Sequence, residues 1–254
     1  MSARVVKIGG SVLSDAGWLA LFAEHVLEAD DRFVIVHGGG PEINALCERL
    51  GLETTWMDGR RVTSPEVLDA AQMVLSGRIN KRVVSALLDA GVNAVGLSGV
   101  DGALVTARVR DGGALGRVGV LTSVNAVVLQ AVLAIGATPV VSPISRGTDG
   151  GGALNVNADE VATGIARALG APELLYLTDV PAVLDDGHAL ASITSGDAAA
   201  LVARGVATGG MAVKLEAARH ALAGGVPLVR IGSLAILTDP EAGTAVRPGA
   251  EVLV

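Results

Sequence analysis

Short runs of aliphatic and β-branched residues alternate along this chain with longer stretches whose apolar positions recur every three to four residues. The runs Arg4–Ile8, Arg32–His37, Ala94–Leu97, Thr138–Ser142, Leu174–Thr178 and Leu228–Ile231 lack sustained polar alternation, the pattern of strands covered on both faces. Between them, helical spacing predicts helices near Trp18–Ala29, Pro41–Leu50, Glu66–Leu75, Asn80–Ala90, Val124–Ile135, Ala158–Leu169, Ala198–Arg204 and Met211–Ala223. Ala103–Leu121 is glycine-punctuated and alternating, which predicts a β-hairpin. Strands and helices in this order predict an α/β fold, a largely parallel sheet with helices on both faces. No internal repeat or linker interrupts it. A seam between two lobes is expected near Gly170–Glu173, giving lobes of residues 1–171 and 172–254.

Val118–Ser145 carries no charge, but Asn125, Gln130, Gly136 and Pro139 interrupt it. It reads as a buried helix followed by a buried strand, not as a membrane span. At 254 residues and half hydrophobic, the chain can bury a substantial core, and with only 2% aromatics that core must be aliphatic. A formal charge of −7 argues against a nucleic-acid partner. Cys47 is the only cysteine, so no intrachain disulfide and no cysteine metal cluster can form. A cytoplasmic location is expected from this and from the absence of a signal-peptide pattern after Met1.

The chemistry begins with two glycine loops. In VVKIGGSVL, Lys7 interrupts an apolar run just before Gly9 and Gly10. Glycines beyond a strand's carboxyl end let backbone N–H groups approach an anion, yet Lys7 reads equally as a lysine snorkelling from a strand end. In FVIVHGGGPEIN, Gly38, Gly39 and Gly40 precede Pro41. Three glycines exceed what a tight turn needs, and proline suits a helix start that favours anions. This loop reads as an anion cradle ahead of a merely permissive loop. Neither stretch is a GxxxxGK[ST] loop, and GxGxxG is absent.

Further polar residues cluster at two helix entrances. In LNVNADEVATGIARAL, Asn157 suits the N-cap and Glu160 a capping-box partner. Asp159 can serve the positive helix end, while Asn155 has no such structural reason to be there. In TGGMAVKLEAARHAL, Lys214 is expected in or near the first helical turn, where the macrodipole disfavours a cation, although a solvated surface lysine is the common alternative. Arg60 and Arg61, in DGRRVTSPE, offer a fork suited to a carboxylate. Which of the two points inward is open.

Together KIGG, HGGGPEIN, GRRVTSPE, GRINKRVVSAL, GLSGVDG, PVVSPI, LNVNADEVAT, YLTDVPAVL and TGGMAVK resemble, in order, the amino-acid kinase family, and within it the acetylglutamate kinases. The resemblance implies an αβα sandwich whose first lobe holds an acyl-amino acid and whose second holds ATP, with Mg²⁺ bridging the phosphates. It implies that Lys7 and Lys214 flank the transferring phosphoryl group and that Asp159 positions both. Gly39 and Gly40 would offer N–H groups to the reacting carboxylate and γ-phosphate. Arg61 would grip the α-carboxylate and Asn155 would help bind the acceptor, N-acetyl-L-glutamate. Gly9, Gly10, Asp179 and Gly209, with Lys214, would line the nucleotide side, and no protein metal ligand is expected. Arg60, Val100 and Ala182 depart from the usual pattern. The first strand starts within a few residues of Met1, without the extra helix of arginine-inhibited hexamers, so a homodimer that arginine does not inhibit is expected. The rivals are a sister kinase acting on carrier-linked aminoadipate, a catalytically silent binding module on the same fold, and a dinucleotide-dependent oxidoreductase.

Overall fold

A computed structural model describes residues 3–29, 31–57, 60–148 and 151–249. Among them, the apolar runs form the middle of one eleven-stranded sheet. Its strands are β1 (Arg4–Ile8), β2 (Phe33–His37), β3 (Ala94–Gly99), β4 (Val105–Val109), β5 (Gly119–Val124), β6 (Thr138–Gly147), β7 (Ala153–Asn155), β8 (Leu174–Leu177), β9 (Ser192–Thr194), β10 (Val229–Gly232) and β11 (Thr244–Arg247). The path runs β9-β11-β10-β8-β1-β2-β6-β4-β5, with β3 and β7 also paired to β6. Strands β10, β8, β1, β2 and β6 are parallel. Antiparallel pairs, β10 with β11 and β4 with β5, lie toward the two ends.

Helices α1 (Ala16–Glu28), α2 (Gly40–Arg49), α3 (Pro65–Gln72), α4 (Asn80–Asp89), α5 (Ala126–Ala134), α6 (Ala158–Leu169), α7 (Ser195–Ala203) and α8 (Gly209–Ala223) cover both faces. Pleating divides the apolar strands between two cores. Val5, Val34, Val36 and Tyr176 pack with Val161, Ile165 and Leu215 on one side. Val6, Ile8, Ile35 and Leu177 pack with Phe22, Leu75 and Ile79 on the other. Every residue of β2 and β8 is buried, which explains why neither alternates with polar residues.

The predicted strands appear within a residue or two of their bounds, apart from β6, which continues to Gly147. Other departures have local causes. The hairpin extends to Val124, because Val105 pairs with Val124, and α5 therefore starts at Ala126 instead of Val124. Helix α7 begins three residues earlier than expected, since Thr194 and Asp197 form a reciprocal capping box. Between α3 and α4 the chain stays helical: Met73–Ile79 is a π-helical segment, filling the gap left between two predicted helices. No helix among the described residues is long and apolar enough to cross a membrane. Because the central strands are parallel, the chain leaves β1 at Gly9, β2 at Gly38 and β8 at Thr178 along the same edge. Ligands of open α/β sheets collect at such an edge.

Candidate active site

The two glycine loops meet backbone to backbone at this edge. The Gly38 amide donates to the Ile8 carbonyl at 3.0 Å. A Cβ added at Gly10 would lie 2.8 Å from the Gly39 nitrogen and 3.0 Å from the Gly40 nitrogen. Only a residue without a side chain permits that approach. The second loop then enters α2 directly, with Gly40 and Pro41 opening the helix and no side chain capping it.

Behind this loop lies a polar clasp. His37 is fully buried; its Nδ1 donates to the Gly38 carbonyl at 3.0 Å and its Nε2 accepts from Asn80 Nδ2 at 3.3 Å. Burial pushes its pKa down to about 4, with nearby Lys81 adding to the drop and the Gly38 bond opposing it. The same Asn80 amide donates to the Val140 carbonyl at 2.9 Å and to that of Leu97 at 3.3 Å. The π-helical segment supplies the apolar backing. A Cβ at Gly39 would meet the methyl groups of Ile79 and Leu75 at 2.4 and 2.7 Å.

Beside the loops sits a cluster of opposed charges. Lys7 Nζ lies 2.8 Å from Asp159 Oδ1, both side chains largely buried. Asp159 stands in the first turn of α6, whose N-cap Asn157 accepts from the Asp159 amide at 2.7 Å. Lys214 reaches the cluster from α8. Burial lowers its pKa, repulsion from Lys7 lowers it further, and Asp179 and Asp159 oppose the drop. It stands in the second turn of its helix, close to the first turn as the sequence suggested. Helical side chains slant toward the N-terminus, which carries Nζ back to 3.8 Å from a Cβ built at Gly210. Asp179, just past β8, is exposed and accepts from Thr178 Oγ1 at 3.0 Å.

Next to this cluster opens a cavity of about 180 Å³, lined by Gly38, Gly39, Gly40, Arg60, Arg61 and Asn155 among others. The cavity and the charge cluster join at the start of α6, where Asn157 and Ala158 line the cavity and Asp159 holds Lys7. Arg61 is 5% exposed, donates to the Gly40 carbonyl at 3.2 Å and lies 4.7 Å over the Trp56 ring. Its Nη1 is buried without a hydrogen-bond partner among the described residues, a deficit worth about 1–3 kcal/mol that an anion would relieve. Both arginines of the pair face the cavity, and Arg61 is the more buried. Asn155 Nδ2 donates to Thr63 Oγ1 at 3.3 Å, and that hydroxyl donates to the Arg61 carbonyl at 2.9 Å. Gly9 and Gly209 lie outside the cavity lining.

One expected interaction is absent. Glu160 does not complete a capping box at α6: its carboxylate accepts from Arg110 at 2.9 Å and from the Leu121 amide at 2.8 Å. Arg110, a cavity-lining residue, escaped sequence reasoning because nothing in the hairpin's spacing marks which charged residue turns inward.

A model of the amino acid kinase family matches residues 2–233. The chain belongs to the amino acid kinase family. Among its relatives in the family, acetylglutamate kinase of Chloroflexus aurantiacus is 45% identical over 237 residues, 92% of this chain and 93% of that one. Acetylglutamate kinase of Methanopyrus kandleri is 42% identical over 254 residues, 96% of this chain and all of its own length. A crystal structure from Streptococcus mutans UA159 has a TM-score of 0.83 at 31% identity, spanning 97% of this chain and 99% of that one. The three-layer arrangement with its largely parallel sheet is therefore the amino acid kinase fold.

Proposed function

We propose that this protein transfers the γ-phosphoryl group of ATP to the side-chain carboxylate of N-acetyl-L-glutamate, giving an acyl phosphate in arginine biosynthesis. The observation that carries the reading is the juxtaposition of two lysines and glycine amides with a cavity holding a buried, unsaturated arginine. Identity above 40% to acetylglutamate kinases over nearly the whole chain supports the choice of acceptor.

The proposed chemistry follows from charge. A carboxylate of pKa about 4.3 is already ionised near neutrality, so the nucleophile needs no general base. What the transfer needs is alignment, and neutralisation of charge spread over the transferring oxygens. Lys7 and Lys214 supply cations from β1 and α8 on the face of the sheet that α6 covers, and the amides of Gly39 and Gly40 donate to the reacting carboxylate and γ-phosphate. Asp159 acts as a positioning residue, fixing Lys7 through their 2.8 Å ion pair and offsetting the repulsion between the lysines. Arg61 grips the α-carboxylate, and Asn155 contacts the acceptor.

We assign Gly9, Gly10, Asp179 and Gly209 to the nucleotide side. No group of three or more His, Cys, Asp or Glu side chains suited to a metal occurs among the described residues. When bound, Mg²⁺ would be carried chiefly by the nucleotide phosphates, whose charge it would reduce. Every cavity-lining residue precedes residue 171, which supports an acceptor lobe of residues 1–171 and a nucleotide lobe of 172–254. A cytoplasmic homodimer belongs to the same reading.

The test is ATP-dependent acyl-phosphate formation trapped with hydroxylamine, comparing N-acetylglutamate with glutamate, N-acetylaspartate and aminoadipate derivatives. Selective turnover of N-acetylglutamate is the expected result. Turnover of another acceptor alone would move the protein to a sister activity, and no turnover of any would refute the kinase reading.

A further inference from the structure

Resting on the reading above, the cavity also explains how an acylated amino acid is told from a free one. With the reacting carboxylate at the glycine loops and the α-carboxylate on Arg61, one group of the acceptor is unassigned: its secondary amide, with one N–H donor and one C=O acceptor. Recognition of an amide requires one protein acceptor and one protein donor.

Both are in the cavity wall. Asn155 Nδ2 is engaged by Thr63 Oγ1, which fixes the side-chain flip and leaves Oδ1 as an acceptor. Arg110, at the turn after β4, lines the same cavity. Its Nη2 is held by Glu160 at 2.9 Å, its side chain is 17% exposed, and its Nε is buried with no hydrogen-bond partner among the described residues. Glu160 is itself fixed by the Leu121 amide at 2.8 Å. Arg110 is thus a held guanidinium beside the cavity whose Nε–H has no partner among the described residues. The first turn of α6 organises both ends of the acceptor: Asp159 holds Lys7 at the reacting end, and Glu160 holds Arg110 at the acyl end.

We propose that Arg110 donates to the acyl carbonyl oxygen of the acceptor, with Glu160 as its positioning residue, and thereby selects N-acylated over free amino acids. A free amino acid presents an ammonium group instead, which cannot accept this hydrogen bond and is repelled by the guanidinium. Selection of this kind combines an attraction for one ligand with a penalty for the other.

The experiment compares wild type with Arg110→Met and Arg110→Lys, using KM for N-acetylglutamate and the inhibition constant of 4-acetamidobutanoate, which keeps the acyl group and lacks the α-carboxylate. Loss of a charged donor should raise KM roughly 10- to 100-fold in Arg110→Met, with kcat changed less and an intermediate value for Arg110→Lys. The inhibition constant should rise by a similar factor. Glu160→Gln should raise KM several-fold in the same direction. A KM within twofold of wild type in Arg110→Met overturns the inference. So does an inhibition constant for 4-acetamidobutanoate that Arg110→Met leaves unchanged, because Arg110 would then serve the α-carboxylate. No inhibition of wild type by that compound overturns it too, since an acyl contact must contribute without the α-carboxylate. A Glu160→Gln effect confined to kcat removes Glu160 from the role. If wild type does not turn over N-acetylglutamate at all, the reading of function fails before this inference is reached.

Discussion

Adding one methyl group at Gly10 should separate catalysis from folding. In Gly10→Ala the new Cβ would lie 2.8 Å from the Gly39 nitrogen, 2.9 Å from its Cα and 3.0 Å from the Gly40 nitrogen. These contacts are roughly half an ångström to an ångström shorter than ordinary van der Waals separation. All three atoms are backbone, so no side chain can rotate away, and one loop must move off the other. Overpacking of this kind costs about 1–3 kcal/mol of stability, which a domain of ordinary stability survives. The loop that moves carries the amides proposed to align the phosphoryl group, and displacements approaching an ångström cost about 10²-fold in rate. The assay is hydroxylamine-trapped turnover at saturating substrates, well below the melting temperature of each variant. Gly39→Ala provides the contrast, because its added methyl meets the flexible ends of Ile79 and Leu75. Shortening those side chains, as in Gly39→Ala/Ile79→Val, should recover part of its loss. Full-rate turnover by a folded Gly10→Ala protein would refute the role given to loop contact.

Four further outcomes follow from the site and the loop behind it. Lys214→Ala should cut kcat by about two orders of magnitude or more if its charge stabilises the transition state; a nearly unchanged kcat would remove it from the site. Since burial and Lys7 lower the Lys214 pKa, the alkaline fall of kcat/KM should occur below the ordinary lysine range and move upward in Lys214→Arg. Arg61→Ala should raise KM for N-acetylglutamate roughly 10- to 100-fold while sparing kcat; a loss confined to kcat would contradict its grip on the ground state. His37, near pKa 4 when folded and near 6.5 when unfolded, binds more protons unfolded. Its stabilisation is therefore present above pH 6.5 and is lost as pH falls toward 4. Urea unfolding of wild type and His37→Gln at pH 7 and 4.5 should differ in pH dependence by about 2–3 kcal/mol, and identical dependence would refute the assignment.

The sheet was legible because strands buried on both faces leave uninterrupted aliphatic runs, and β1, β2 and β8 fell nearly where those runs lie. The glycine loops were legible for a similar reason: Gly10 stands where only absence of a side chain fits, and Gly39 where a Cβ would press on Ile79 and Leu75. What escaped detection was partner choice. Asn157 and Glu160 have capping-box spacing, yet Glu160 turns to Arg110, while the box forms at Thr194 and Asp197, whose aspartate departs from the usual Glu or Gln. Spacing fixes which groups can meet locally, whereas a competing partner from another element is set by tertiary packing. Asn80 gave no signal either, because its three acceptors, on His37, Leu97 and Val140, are distant in sequence.

The π-helical stretch has a consequence for insertions and deletions. From Pro65 to Asp89 the backbone stays helical without a break, so this rod transmits rotational phase from one end to the other. Residues Leu75 and Ile79 must press on the Gly39 loop while Asn80 reaches the strands. Removing one residue upstream of Leu75 would turn everything downstream by about 100° relative to Ser64, the cap that fixes the rod's start. No point substitution within the segment could restore both registrations at once. The rod should therefore tolerate changes of side chain far better than any change of length.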